Sequence, residues 1–229
     1  MSLVVLDNIP FQPDTALLQQ ELHIRQDSRQ VDQLARLVRE AQAIAKPKAL
    51  YRVTQVTSQG DDYVIIDGVR FDSRVLRVNL DGALRIFPHI VTCGMELEEW
   101  SNALDDVIER YWAEAINRMA LRAASHALDA HLAQHHHPGL TSCISPGVFP
   151  DWPLRQQRAL FELLGDPQET IGVRLLKSAM MMPFKSTSGI IYPSEECFVI
   201  CELCATEYCP GRSAPYDQTL YDREYRSHS

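Results

Sequence analysis

A chain of 229 residues, 45% hydrophobic and 23% charged, carries enough apolar material for a full core, as one large domain or two small ones. Its formal net charge of -8 argues against the basic face that nonspecific nucleic-acid binding needs, and is compatible with a small-molecule or protein partner. No uncharged apolar stretch approaches the roughly 20 residues of a membrane span, and the opening MSLVVLDNIPF lacks a basic segment and turns polar at Asp7, so neither a membrane helix nor a signal peptide is expected, and the chain is assigned to a reducing cytoplasm.

In chain order, SRQVDQLARLVREAQAIAK places Val31, Leu34, Leu37, Val38, Ala41, Ile44 and Ala45 at helical spacing, with Ser28 as its N-cap. ALYRVTQVTS predicts a strand, and YVIIDGVRF two short strands around the hairpin signal Asp67-Gly68. DSRVLRVNL predicts a short helix capped by Asp72 or Ser73. ALRIFPHIVTCG predicts a strand, and Pro88 in it predicts an edge position or a bulge. From about residue 96 to 134 the pattern is helical, as one bent helix or two in succession. Leu97, Trp100, Leu104, Val107, Ile108 and Trp112 share a face, continued by Ile116, Met119 and an alanine row that suits close approach. Pro138-Gly139 ends it. Asp151 or Trp152 is expected to cap the helix PLRQQRALFELLG, which Gly165 terminates. TIGVRLL and SGIIY predict strands. The order helix, strands, helices, strands is not a regular alternation, and so predicts an α+β fold with a mostly antiparallel, twisted sheet and long helices. A single domain is expected over residues 1–212, with a polar tail over 213–229 that either wraps the surface or moves freely.

Four of the six cysteines, Cys197, Cys201, Cys204 and Cys209, fall within 14 residues. In a reducing compartment such crowding points to thiolates converging on one zinc ion or iron-sulfur cluster. Cys201, Cys204 and Cys209 form the core of that set; Cys197, beyond the strand-like FVI, or an outside ligand is the fourth. The other reading is a group of buried free thiols. His131 and His135 stand at i, i+4, a spacing that can hold a metal. The run His135-His136-His137 reads more simply as an exposed helix end that favours the helix dipole. Two further stretches suit ligand contact. Ser145-Pro146-Gly147 allows a tight turn with close backbone approach, and Lys185, Ser186, Ser188 and Gly189 form a small polar patch between apolar runs. Each also reads as an ordinary turn.

SCISPGVFPDWPL followed by MMPFKSTSGI and then by Cys201, Cys204, Cys209 and Pro210 resembles the S-adenosylmethionine-binding activation domain of cobalamin-dependent methionine synthase, and still more its stand-alone relatives. Those carry a turn R-x-x-x-G-Y before a Pro-containing helix start, then M-x-P-x-K-S-x-S-G-I, and often a terminal C-x2-C-x4-C-P. The resemblance covers about residues 16–212 and rests on the order and spacing of the motifs. It implies S-adenosylmethionine held by Ser145, Pro146, Gly147, Lys185, Ser186, Ser188 and Gly189, and an iron-sulfur cluster or zinc on the cysteines. It implies a corrinoid protein or cobalamin-dependent methyltransferase as partner, with cobalamin on the partner, and leaves room for an electron-donor protein and for homo-oligomers. The function implied is reactivation of the corrinoid enzyme by reductive methylation of cobalt. Two positions depart from the pattern: Cys143 stands where the motif has Arg, and Val148 where it has Tyr. A thiol cannot replace a bidentate guanidinium on a carboxylate. A non-enzymatic iron-sulfur or zinc module, or a methyltransferase for another acceptor, is therefore the competing expectation.

Overall fold

A computed structural model of the chain describes residues 3–25, 29–195, 199–209 and 212–225, so Ser28 and Cys197 lie outside the described residues. Strand β1 (Leu3–Leu6) and helices α1 (Thr15–Glu21) and α2 (Arg29–Ile44) come first. The expected strand over ALYRVTQVTS is two, β2 (Lys48–Arg52) and β3 (Val56–Gln59). Asp67 and Gly68 link β4 (Tyr63–Ile66) to β5 (Val69–Asp72) with φ of 48° and 85°, the pair of positive angles that a two-residue hairpin loop requires. Helix α3 (Arg74–Asn79) is capped by the Ser73 hydroxyl, which accepts from the Leu76 amide at 3.0 Å. After β6 (Phe87–Thr92) the long helical stretch divides into α4 (Met95–Asn102) and the 30-residue α5 (Val107–His136). The break falls where the Asp106 carboxylate accepts from the amides of Ile108 and Glu109 and restarts the helix. Strand β7 (Thr141–Ile144), helices α6 (Gln157–Leu164) and α7 (Pro167–Ile171), and strands β8 (Arg174–Leu175), β9 (Met181–Met182) and β10 (Ser186–Pro193) follow. Most of TIGVRLL is thus not a strand. Pro167 at a first helical position and the Asp166 carboxylate on the Glu169 amide fix α7 there instead.

The main sheet has five strands in the order β1-β2-β6-β10-β7, every pair antiparallel, and β3-β4-β5 form a second, smaller one. With these helices the architecture is α+β, as expected. Pro88 occupies neither an edge nor a bulge, because β6 lies between β2 and β10. On its β2 side the ladder is interrupted beside it: Tyr51 pairs with His89, and the next pairing, Thr54 with Ile86, is an isolated bridge in unchanged register, so the missing N–H breaks the ladder at one place without displacing the strands.

Strand alternation sends the two faces of this sheet into different cores. Leu50, Ile90, Ile144, Ile190 and Tyr192 meet the small sheet, α3 and α6 through Val64, Ile66, Phe71, Leu76, Trp152 and Leu160. Ala49, Tyr51, Phe87, Val91 and Ile191 meet Ala124, Leu128 and Leu132 of α5. With both faces covered, every residue of β6 is buried. The amino-terminal half of α5 packs on α2 and α4 through Leu34, Leu37, Leu97, Trp112 and Ile116. Helix α6 opens through a tight turn, Leu154–Gln156, with no side-chain cap. Asp151, the expected cap, instead accepts from the Ser73 hydroxyl, the Val75 amide and the Tyr221 hydroxyl. The described part of the tail is docked on the domain: Tyr225 is buried, receives a hydrogen bond from Asn79 at 3.0 Å, and its carbonyl accepts from Arg74.

Truncating Ile90 to alanine, at the middle of the central strand, is expected to cost about 2–5 kcal/mol of stability, while Leu84→Ala, on an exposed loop, stays within about 0.5 kcal/mol. Equilibrium denaturation of both variants checks the assignment of the core.

Candidate functional site

The motif residues converge on the junction of β7, β10 and α5. The turn after β7 is closed by the Gly147 amide donating to the Trp152 carbonyl at 2.7 Å. Gly147 has φ of 86°, and a Cβ there would lie 3.1 Å from Leu154. The space that a glycine leaves at this point is therefore filled by the chain's own leucine. Pro146 and Trp152 are buried behind the turn, with Trp152 edge-on to Phe71.

Alternation along β10 separates the residues of the predicted polar patch. Ser186 donates to the Pro183 carbonyl and is hydrogen-bonded to the Thr92 hydroxyl, and Ser188 donates to Gln157 Oε1 of α6 at 3.2 Å. Lys185 pairs on the opposite side with Glu114 of α5. Gly189 also faces α5. Its cross-strand neighbours are His89 in β6 and the end of β7, and a Cβ on it would stand 2.5 Å from the Ile144 carbonyl oxygen, 3.0 Å from Ser145 Oγ and 3.1 Å from Cys143 Sγ. Gly189, Ser145 and Cys143 are thus one contact group, while Ser186 and Ser188 belong to the opposite face.

A cavity of about 330 Å³ opens on the α5 side, beside this group. Its walls include His89, Ser125, Asp129, Cys143 and Thr187, with Val91, Leu128 and Ile191 as apolar surfaces. Cys143, at the motif arginine position, is therefore a wall of the cavity and not a surface residue. Burial pushes its thiol up to about 12; the Asp129 charge adds to this and a hydrogen bond with Ser145 opposes it. Asp129 sits at the rim. The residue as a whole is exposed, and burial on its cavity side raises its carboxyl pKa, against the opposing His126. His89 is only 5% exposed, and burial lowers its pKa to about 4, so the ring is neutral. Its Nδ1 faces the Phe87 carbonyl at 3.3 Å, which sets the tautomer: Nδ1 carries the proton and donates, leaving Nε2 an acceptor. Nε2 has no partner among the described residues.

Sequence reasoning did not select His89, Ser125, Asp129 or Thr187. The available signal was a histidine inside the apolar run FPHIVT, where a buried strand has no need of one.

The cysteine segment is organised differently from the expected metal centre. Ile200–Leu203 is a short helical turn, not an extension of a strand. The Arg212 guanidinium reaches into the loop and donates to the carbonyls of Cys201 and Ala214 at 3.0 Å, of Cys204 at 2.9 Å, and of Thr206. Cys201 Sγ accepts from the Ser213 hydroxyl and amide. Among the described residues no three His, Cys, Asp or Glu side chains come together to hold a metal. The Arg212 guanidinium lies at the centre of the loop that carries Cys201 and Cys204. His131 and His135 stack at 4.0 Å between ring centres, and His136 Nε2 meets the buried Tyr51 hydroxyl at 2.9 Å, which makes this run part of the α5–β2 packing.

No family model and no curated protein sequence matches the chain. Among solved structures it is similar to the crystal structure of the MetH reactivation domain bound to AdoHcy, with a TM-score of 0.56 and 14% identity over 87% of this chain and 81% of that one. At that identity the likeness is one of fold. Among the described residues no helix is long and apolar enough to cross a membrane.

Two outcomes follow from the site's packing. Gly189→Ala forces β7 away from β10 and is expected to cost about 1–3 kcal/mol, read by thermal or chemical unfolding. His89, with a folded pKa of about 4 against an ordinary 6.5, binds its proton more readily in the unfolded chain. Its contribution is complete above pH 6.5 and is lost as pH falls from there to about 4, by about 3 kcal/mol in all. Unfolding free energies across that window should fall less steeply for His89→Gln than for the natural protein.

Proposed function

We propose that this chain is an activation-domain-like module that binds an adenosyl ligand on the α5 side of its sheet and works on a corrinoid-carrying partner. The observation that carries the reading is the fold similarity, along most of both chains, to a reactivation domain crystallised with AdoHcy. The motif order in the sequence supports it independently. The cavity beside Cys143, Gly189 and the Ser145-Pro146-Gly147 turn supplies a place for the ligand. The residues fit the nucleoside part of such a ligand. Val91, Leu128 and Ile191 give flat apolar surface for a base, and His89, Ser125, Asp129 and Thr187 give hydrogen-bonding groups. They do not reproduce the usual grip on an amino-acid tail, because Cys143 is a neutral thiol.

In the resembling domains, methyl transfer from the sulfonium traps cobalt in its reduced state and restores the corrinoid enzyme. The residues of this chain bind and orient the donor against the partner and exclude water from the cavity. The missing guanidinium contact is worth about 2–4 kcal/mol, or about 30- to 1000-fold in affinity, so S-adenosylmethionine binding is weak.

Calorimetric titration of the full chain with S-adenosylmethionine and AdoHcy tests the reading. Saturable one-to-one binding, weak in the natural protein and tightened by Cys143→Arg, is expected. Acceleration of cobalt methylation on an anaerobically reduced corrinoid protein is the functional counterpart. If no adenosyl compound of any kind binds, the reading fails and a partner-binding module without a nucleoside site takes its place.

A further inference from the structure

The cavity under α5 has a chemical bias that the fold does not dictate. Its strongest polar groups are acceptors. His89 Nε2 is one: the Phe87 carbonyl claims the proton on Nδ1, and the ring lines the cavity with the other nitrogen unpartnered among the described residues. The Asp129 carboxyl at the rim is another. The hydroxyls of Ser125, Thr141, Ser142 and Thr187 can act either way, although Ser125 already donates to the Leu121 carbonyl, which leaves His89 Nε2 and the Asp129 carboxylate as the groups that only accept. Among the described residues lining the cavity none is Lys or Arg. Lys185, just before β10, is held by Glu114. At about 330 Å³ the cavity lies at the small end of the range for ligand sites. Gly189, paired with His89 across the strands, lets the end of β7 and with it the Cys143 wall come close, where any side chain would collide.

An acceptor-lined cavity without a cation favours ligands rich in N–H and O–H groups and disfavours a carboxylate, which accepts only and would be desolvated without a counter-charge. We propose that the cavity selects a carboxylate-free nucleoside of the adenosine class over adenosyl ligands that carry an amino-acid tail. The inference rests on the adenosyl reading above and deepens it. The exocyclic amine and ribose hydroxyls supply donors for His89 Nε2 and Asp129, and Val91, Leu128 and Ile191 hold the base. A nucleoside in the cavity then competes with the sulfonium donor, which makes the module subject to inhibition by nucleosides.

The test is calorimetry on the full chain with adenosine, 5′-methylthioadenosine, AdoHcy and S-adenosylmethionine. The nucleosides are expected to bind at least about tenfold more tightly than AdoHcy. Asp129→Asn, at the rim and outside the packed core, should narrow that margin, and His89→Phe should weaken nucleoside binding by about tenfold or more. Cys143→Arg should reverse the order in favour of AdoHcy. If AdoHcy binds as tightly as the nucleosides or more so, the selectivity is refuted while the adenosyl reading stands. If the nucleosides are preferred but Asp129→Asn and His89→Phe both leave their affinity unchanged, the cavity is not the site and the inference is overturned. If neither class binds, it falls together with the reading on which it rests.

Discussion

Strand β7 reaches its place beside β10 because residue 189 has no side chain. A Cβ there would stand 2.5 Å from the Ile144 carbonyl oxygen, closer than a methyl group and an oxygen can approach. That contact fixes the end of the main sheet, and with it the direction in which the chain leaves β7 into the Ser145-Pro146-Gly147 turn. The turn in turn delivers Trp152 to the core under the small sheet and starts α6. On the α5 face the cavity lies beside this contact, with His89 and Cys143 among its walls. Fold and candidate site thus share one constraint.

The periodic elements were legible because burial on one face leaves a pattern. The Asp67-Gly68 hairpin, the Ser73 cap, the Gly165 stop and the alanine row of α5 all appear as local chemistry predicts. Pro88 misled because a central strand held in register on both sides of it absorbs one missing N–H, and that support is a tertiary fact. TIGVRLL misled for a different reason: the Asp166 cap and Pro167 outweigh the β-branched residues that follow. In the site, the motif resemblance identified Gly189 and the Cys143 departure, but not which face each residue of β10 serves. Ser186 and Ser188 are one residue away from Lys185 and Gly189 and serve the opposite side, a distinction that needs the register of the sheet. His89 and Asp129 come from a central strand and a long helix with no motif around them, and only the fold brings them together.

The cysteine segment shows the converse. Its crowding is conspicuous in sequence, yet the loop is held by Arg212 donating to the carbonyls of Cys201, Cys204, Thr206 and Ala214, and by Ser213 on the Cys201 sulfur. Guanidinium-to-carbonyl bonds order a loop that is short of secondary structure. The adjoining tail carries the order further, through Tyr221 on Asp151 and Tyr225 against Asn79, back to the segment that follows β7 and the end of α3.

The central claim is that an adenosine-class ligand occupies the space between α5 and the sheet, against His89 and Cys143. A crystal structure of the full chain grown with adenosine tests it most directly. The account predicts density for the base between Leu128 and the strand residues Val91 and Ile191, with a nitrogen or hydroxyl of the ligand within hydrogen-bond distance of His89 Nε2. Density for the nucleoside elsewhere, with the α5 cavity empty, would contradict it.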